Sequence, residues 1–175
     1  MRFYLTVVFL FVSFVTIAQF SDDFEDGDFG VGPTWAGDDA DFEVDDFKQL
    51  HLLAPAESDT SYLSVSSAII DDVIWDFWVN MDFNPSSSNY TRIYLVSDQA
   101  DLMGDLNGYF LMIGNTSDEI SLYRQNGVSI TEILDGVDNS VDLTNVEVRV
   151  RVTRDATGNW EVLRDSLGGY DFISE

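Results

Sequence analysis

Two stretches of the chain alternate apolar and polar residues with a period of two. In "WDFWVNMDF" the residues Trp75, Phe77, Val79, Met81 and Phe83 fall on one side, and Asp76, Asn80 and Asp82 on the other. In "VEVRVRVTRD" Val146, Val148, Val150 and Val152 alternate with Glu147, Arg149 and Arg151. A strand turns successive side chains to opposite faces, so both segments predict half-buried strands. The shorter runs "QLHLL", "SYLSV", "TRIYLVS", "GYFLMIG", "EISLYRQ", "SITEIL" and "WEVL" predict more of them. Asn126-Gly127 in "QNGV" predicts a type I′ hairpin turn, and "RDATGNW" places Gly158 where a longer hairpin loop needs positive φ. No stretch carries the periodicity of an amphipathic helix. Many short strands separated by turns, with no helix to cover a sheet, predict an all-β fold: an antiparallel β-sandwich or jelly roll.

The longest apolar run lies outside this pattern. Residues 3–18, "FYLTVVFLFVSFVTIA", follow Arg2 and end on a small residue before Gln19. That layout predicts a secretory signal peptide cleaved after Ala18, and the run is shorter than the roughly 18 to 20 apolar residues that span a bilayer. The expected organisation is a signal peptide over residues 1–18 and one β-sandwich domain over 19–175, secreted or held at a bacterial cell surface, with no membrane span after cleavage. The chain has no cysteine. A lipoprotein anchor, a disulfide and a thiolate metal site are thereby excluded.

Composition sharpens the partner question. The formal net charge is −24, and the segment beyond residue 18 keeps all 32 acidic residues while losing only Arg2 of 8 basic ones. Such a surface repels phosphate backbones and anionic lipid, so nucleic acid is not an expected partner of this segment. High charge also accompanies disorder. Disordered chains are poor in aromatic residues, however, and this one is 14% aromatic and 45% hydrophobic, which predicts a folded core.

Taken in order, "DDFEDGDF", "WDFWVNMDFNPSSSNYTRIYLVSDQADLMGDLNGYFLMIG", "ISLYRQNG" and "VRVTRDATGNWEV" resemble the N-terminal β-sandwich module of secreted bacterial proteins that carry lamin-tail domains downstream. That module is similar to concanavalin A-like, laminin-G-like jelly rolls. The resemblance covers nearly all of residues 19–175, with 89–114 its most specific part. It implies two curved antiparallel sheets, an extracellular setting, downstream domains and no established catalytic residue. Such modules usually return a last strand of the type F-x-F-D-D-x-x-V beside the first, whereas this chain ends in "GGYDFISE". The resemblance therefore implies that one or two C-terminal strands and any downstream domains are missing, leaving an unpaired edge beside the opening segment.

Three kinds of chemistry are open to these residues. Jelly rolls of this type often hold calcium, and "FSDDFEDGDFG" packs five acidic residues into seven positions. Placing Gly27 as the glycine of an EF-hand puts Phe24 at the third position and Pro33 at the twelfth, so that loop is excluded. A looser Ca²⁺ site using Asp22 or Asp23 with backbone carbonyls stays open, with Asp23 expected on the strand face opposite Asp22 and Phe24. The acidic loop "SDQADLMGDLNG", with Asp98, Asp101, Asp105 and Asn107, has no recognised spacing and reads as a polar connection.

Catalysis is not expected. Glycoside hydrolases on this fold line up acids as E-x-D-x-E or E-x-D-x-x-E on one strand face, whereas Asp118 and Glu119 in "SDEISLYR" are adjacent and point to opposite faces. His51, the one histidine, reads as a strand residue without triad partners. Binding remains. Arg92 shares a face with Tyr94, Arg124 follows Tyr123, and Trp78 shares a face with Asn80; such aromatic planes and planar donors suit a polysaccharide or other surface polymer. The competing assignment is that arginines neutralise cross-strand acids such as Asp76, Asp82 and Glu147. The expected function is thus a non-catalytic extracellular module for carbohydrate or surface-polymer binding or adhesion. A structural spacer of a larger secreted protein is the alternative, and a glycoside hydrolase-like enzyme the third.

Overall fold

The computed structural model describes residues 21–55 and 58–175. The signal-peptide expectation falls on residues 1–18, outside them. The strands are β1 (Ala36–Gly37), β2 (Phe42–Val44), β3 (Leu50–Leu52), β4 (Leu63–Ser64), β5 (Val73–Met81), β6 (Thr91–Ser97), β7 (Leu106–Gly114), β8 (Glu119–Gly127), β9 (Ser129–Leu134), β10 (Val146–Arg154), β11 (Trp160–Asp165) and β12 (Ile173–Ser174). Among the described residues the one helical element is a 3₁₀ turn at Asp39–Asp41. The fold is all-β.

Two four-stranded antiparallel sheets carry it. The first runs β12-β11-β10-β5 and the second β6-β7-β8-β9, while β1-β4 and β2-β3 form small separate pairs. The alternation that predicts the strands also fixes what lies between the sheets. Val146, Val148, Val150 and Val152 of β10 are at most 1% exposed, and they pack with Leu111, Ile113, Ile120 and Leu122 of β7 and β8, each at 0%. The expected sandwich is therefore what forms. Sheet two is a local meander and β5–β10 a long-range pairing, an arrangement that does not by itself specify a jelly roll.

Edge positions explain the softer parts of the core. Trp75, Phe77 and Val79 face the core from β5, an edge strand, and stay half-buried. Near the start of β11, Trp160 stacks on Trp75 at 5.7 Å between ring centroids and meets Tyr109 of the other sheet at 5.0 Å. Arg154 caps this aromatic group, 5.3 Å from the Trp160 ring, and its guanidinium pairs with Asp71.

Two local expectations are corrected. The hairpin between β8 and β9 pairs Asn126 with Ser129, so its loop residues are Gly127 and Val128. Gly127 has φ +59°, and neither Asn126 nor Val128 has positive φ, the pattern of a type II′ rather than a type I′ turn. The opening acidic stretch is not a strand: residues 21–35 run as irregular backbone with a turn at Glu25 and Asp26 and several bends. The carboxylates of Asp22, Asp23, Asp26 and Asp28 accept hydrogen bonds from amides two residues on, so short side chains satisfy the backbone where a strand ladder would have. The turn expected at Asp26-Gly27 is present, with Gly27 at φ +78° and its amide 2.9 Å from the Phe24 carbonyl.

Candidate functional site

The residues singled out for binding divide between the two sheets. Trp78 and Asn80 lie on the outer face of sheet one, opposite the core-facing Phe77 and Val79. Trp78 donates from Nε1 to Glu147 at 3.3 Å. The turn after β11 crosses its edge, since a Cβ added to Gly168 would stand 2.7 Å from Trp78 Nε1. Asn80 donates to Asn145 at 3.4 Å. On the same face Asp76 accepts from Arg149 at 3.0 Å and from Arg151 at 2.5 Å, and those guanidiniums lie under Tyr170 at 4.5 Å and Phe172 at 4.3 Å. Cross-strand neutralisation is the assignment that fits here. This face has spent its donors on itself.

Arg124 belongs to neither outer face. It pairs in register with Tyr109 and shares the side of β8 that carries Leu122, at the rim where the core ends, and is exposed. His51 faces its cross-strand partner Glu43 at 3.3 Å, as a strand residue would.

Arg92 and Tyr94 do come together, on the outer face of sheet two. The register sets Tyr94 beside Phe110 and Phe110 beside Tyr123. Their ring centroids stand 4.9 and 5.4 Å apart, forming a ladder across β6, β7 and β8. Phe110 is fully buried and Tyr123 nearly so, which is the burial that apolar faces seek even on the outside of a sheet. The Arg92 guanidinium covers this ladder, 5.0 Å from the Phe110 ring and 5.5 Å from Tyr90, whose hydroxyl lies 3.3 Å from it. Tyr94 donates its hydroxyl to Gln125 at 2.6 Å, and Gln125 in turn donates to the Gly127 carbonyl at 2.9 Å. Among the described residues, Arg149, Arg151, Arg154 and Arg164 each pair with a carboxylate, whereas Arg92 and Arg124 do not.

Next to the ladder stands an acidic group that the strand pattern did not reveal. Carboxylate oxygens of Glu119 on β8, Glu132 on β9 and Asp135 just beyond it lie within 4.8 Å of one another. Tyr123 donates to Glu132 at 2.7 Å, linking the group to the aromatic ladder. Burial, and then that hydrogen bond to a carboxylate, push the Tyr123 phenol up to about 12. Glu119 is also raised above the ordinary glutamate range, first by burial and further by Asp135, Glu132 and Asp138; the Ser121 hydroxyl bond opposes this. Asp118 precedes β8 in a turn with φ +50°, so strand alternation does not set its side against Glu119, and the neighbours of Glu119 come from the next strand and the residue just beyond it. Folding the chain at Asn126-Gly127 would have brought positions near 119 and 135 face to face, and that was the available signal.

The suggested cation residues lie elsewhere. Asp22 accepts from the Phe24 amide at 3.0 Å and from Trp35 Nε1 at 2.8 Å, and Asp23 from the Glu25 amide at 3.3 Å. Asp98 is held below the usual carboxylate range by the amide and side chain of Asn107, at 2.7 and 2.8 Å, which makes the loop after β6 a closed polar turn. Two open recesses are lined by Glu43, Asp45, Phe47 and His51, and by Asp41, Pro55, Asp59 and Asn89, the last of these next in sequence to Tyr90. No helix among the described residues is long and apolar enough to cross a membrane. Comparisons with protein-family models, with curated proteins and with solved structures find no match for this chain.

Proposed function

We propose that the chain is a non-catalytic extracellular binding module that holds a polysaccharide or similar surface polymer on the outer face of sheet two. One observation carries the reading: among the described residues Arg92 has no carboxylate partner, in a chain of net charge −24, and its guanidinium lies over an aromatic ladder 5.0 Å from the Phe110 ring and 5.5 Å from the Tyr90 ring. A fixed guanidinium with phenols on either side offers planar donors and ring edges to sugar hydroxyls. An extended face rather than a deep cavity suits a polymer, and the chain's own charge favours a neutral glycan over a polyanion. A signal peptide over residues 1–18, secretion or display at a cell surface, and membership of a larger protein with lamin-tail domains belong to the same proposal. The signal peptide and secretion rest there on the apolar run of residues 3–18 behind Arg2, and the larger protein on the sequence resemblance.

A polysaccharide pull-down and glycan array with the purified chain tests it. Arg92→Ala or Tyr94→Ala is expected to weaken retention by about tenfold, the loss of roughly 1.4 kcal/mol of contact energy. Trp78→Ala leaves it unchanged, because that ring is turned to Glu147. If no glycan is retained, the spacer reading replaces this one.

A further inference from the structure

We propose that Glu119, Glu132 and Asp135 form a binding site for one calcium ion at the β8–β9 edge of sheet two. Two observations point to it. The first is convergence: oxygens of three carboxylates lie within 4.8 Å of one another. Calcium takes its oxygens at about 2.3–2.6 Å, so two ligands of one ion stand at most about 5 Å apart, and this trio fits inside that span. The second is an orphan. Glu119 is only 4% exposed; its Oε1 accepts from the Ser121 hydroxyl at 2.8 Å, while its Oε2 is buried with no hydrogen-bond partner.

A buried carboxylate oxygen with nothing to bond, next to two more carboxylates, is an arrangement that a cation satisfies and a neutral core does not. The surrounding structure holds the oxygen in place rather than relieving it. The Gly136 amide donates to the Ser121 hydroxyl at 2.9 Å, and that hydroxyl donates to Glu119, so two successive bonds fix the carboxylate. Glu132 is fixed likewise by the Tyr123 hydroxyl. The donor chemistry selects the ion: all three ligands are hard oxygens, the chain has no cysteine, and its one histidine pairs with Glu43 on a different sheet. Zinc and copper favour nitrogen and sulfur, whereas calcium is served by carboxylates with water completing the shell. Glu132 and Asp135 are exposed and Glu119 is buried, so the ion would sit with one side anchored in the sheet and the other open to water.

The test uses the whole chain, stripped with EGTA and titrated with CaCl₂ by calorimetry at constant ionic strength, with thermal unfolding in parallel. The expected result is one ion bound per chain and a higher Tm with calcium. Glu132→Gln and Asp135→Asn, both exposed positions whose folding is checked by near-ultraviolet circular dichroism, are each expected to weaken binding by at least about tenfold, the smaller loss found even for outer-shell partners. Asp22→Asn combined with Asp23→Asn leaves it unchanged. Absence of stoichiometric binding to the unsubstituted chain, or binding that survives both Glu132→Gln and Asp135→Asn, overturns the proposal. The readout involves no glycan, so it fails or succeeds independently of the polymer-binding reading.

Discussion

Asp155 gathers the turn between β10 and β11 onto one carboxylate. Its Oδ1 accepts from the amides of Thr157 and Asn159 at 2.8 and 2.9 Å, and its Oδ2 from the Asn159 side chain at 2.8 Å. Those donors, the Asn159 side chain foremost, hold the Asp155 carboxyl far below the usual range. A folded-state pKa below the unfolded value of about 3.9 means that the stabilisation is complete above that value and is lost as pH falls through the folded one. Amide-exchange protection at Thr157 and Asn159, followed by NMR, is therefore expected to stay level from neutral pH to about 4 and to decline in stronger acid. In Asp155→Asn the protection is already low at neutral pH and has no acid step. Arg92 makes the opposite case at the same scale: its side chain has aromatic support and, among the described residues, no charge partner, which is why its removal is expected to touch binding more than folding.

At the scale of the elements, the β8–β9 hairpin depends on two glycines for different reasons. Gly127 takes φ +59° at the turn, and a Cβ added there would meet nothing within 4 Å, so Gly127→Ala strains only the backbone, by about 1–2 kcal/mol. Gly136 has no such φ, but its added Cβ would stand 2.4 Å from the Ile120 carbonyl oxygen, a backbone atom that cannot rotate away. Gly136→Ala is expected to cost more, about 1–3 kcal/mol or above, and to disturb the Ser121–Glu119 relay that the Gly136 amide begins. Denaturant unfolding of the two variants gives the order, and calcium titration shows whether only Gly136→Ala reaches the acidic site. β10 was legible in the sequence because it has one apolar and one polar face, and burial acts on that difference. Residues 21–35 were not, since aspartates that bond to amides two residues on erase the alternation a strand would show. Arg92 and Tyr94 were legible as a pair, being two apart on one strand. Glu119 and Glu132 were not, because they meet across a hairpin whose register shifts between Leu122 and Tyr123. That shift cannot be counted along the chain.

Over the whole molecule, charge is distributed unevenly between the sheets. Arg149, Arg151 and Arg154 sit on β10 and Arg164 on β11, each beside a carboxylate, so sheet one is largely compensated. Sheet two carries Arg92 and Arg124, which have no carboxylate partner among the described residues, and gathers Glu119, Glu132 and Asp135 at one edge. A net charge of −24 on a chain of 175 residues opposes the compact state by self-repulsion. Raising NaCl from about 10 mM to about 150 mM shortens the screening length from about 30 Å to about 8 Å, and each kcal/mol of repulsion removed should raise Tm by roughly 2–4 °C. This screening acts on every carboxylate, so it is expected equally in the unsubstituted chain and in Glu132→Gln. Site binding behaves otherwise. Replacing NaCl by CaCl₂ at the same ionic strength leaves screening by monovalent salt behind and adds mass action on the folded state alone, growing as the logarithm of calcium over its dissociation constant. The expected pattern is thus two separable rises in Tm: one from salt of any kind that survives Glu132→Gln, and one from calcium that the substitution removes. A single rise, the same for both chains and both salts, would mean that the acidic edge of sheet two answers to the charge of the whole molecule and to no ion of its own.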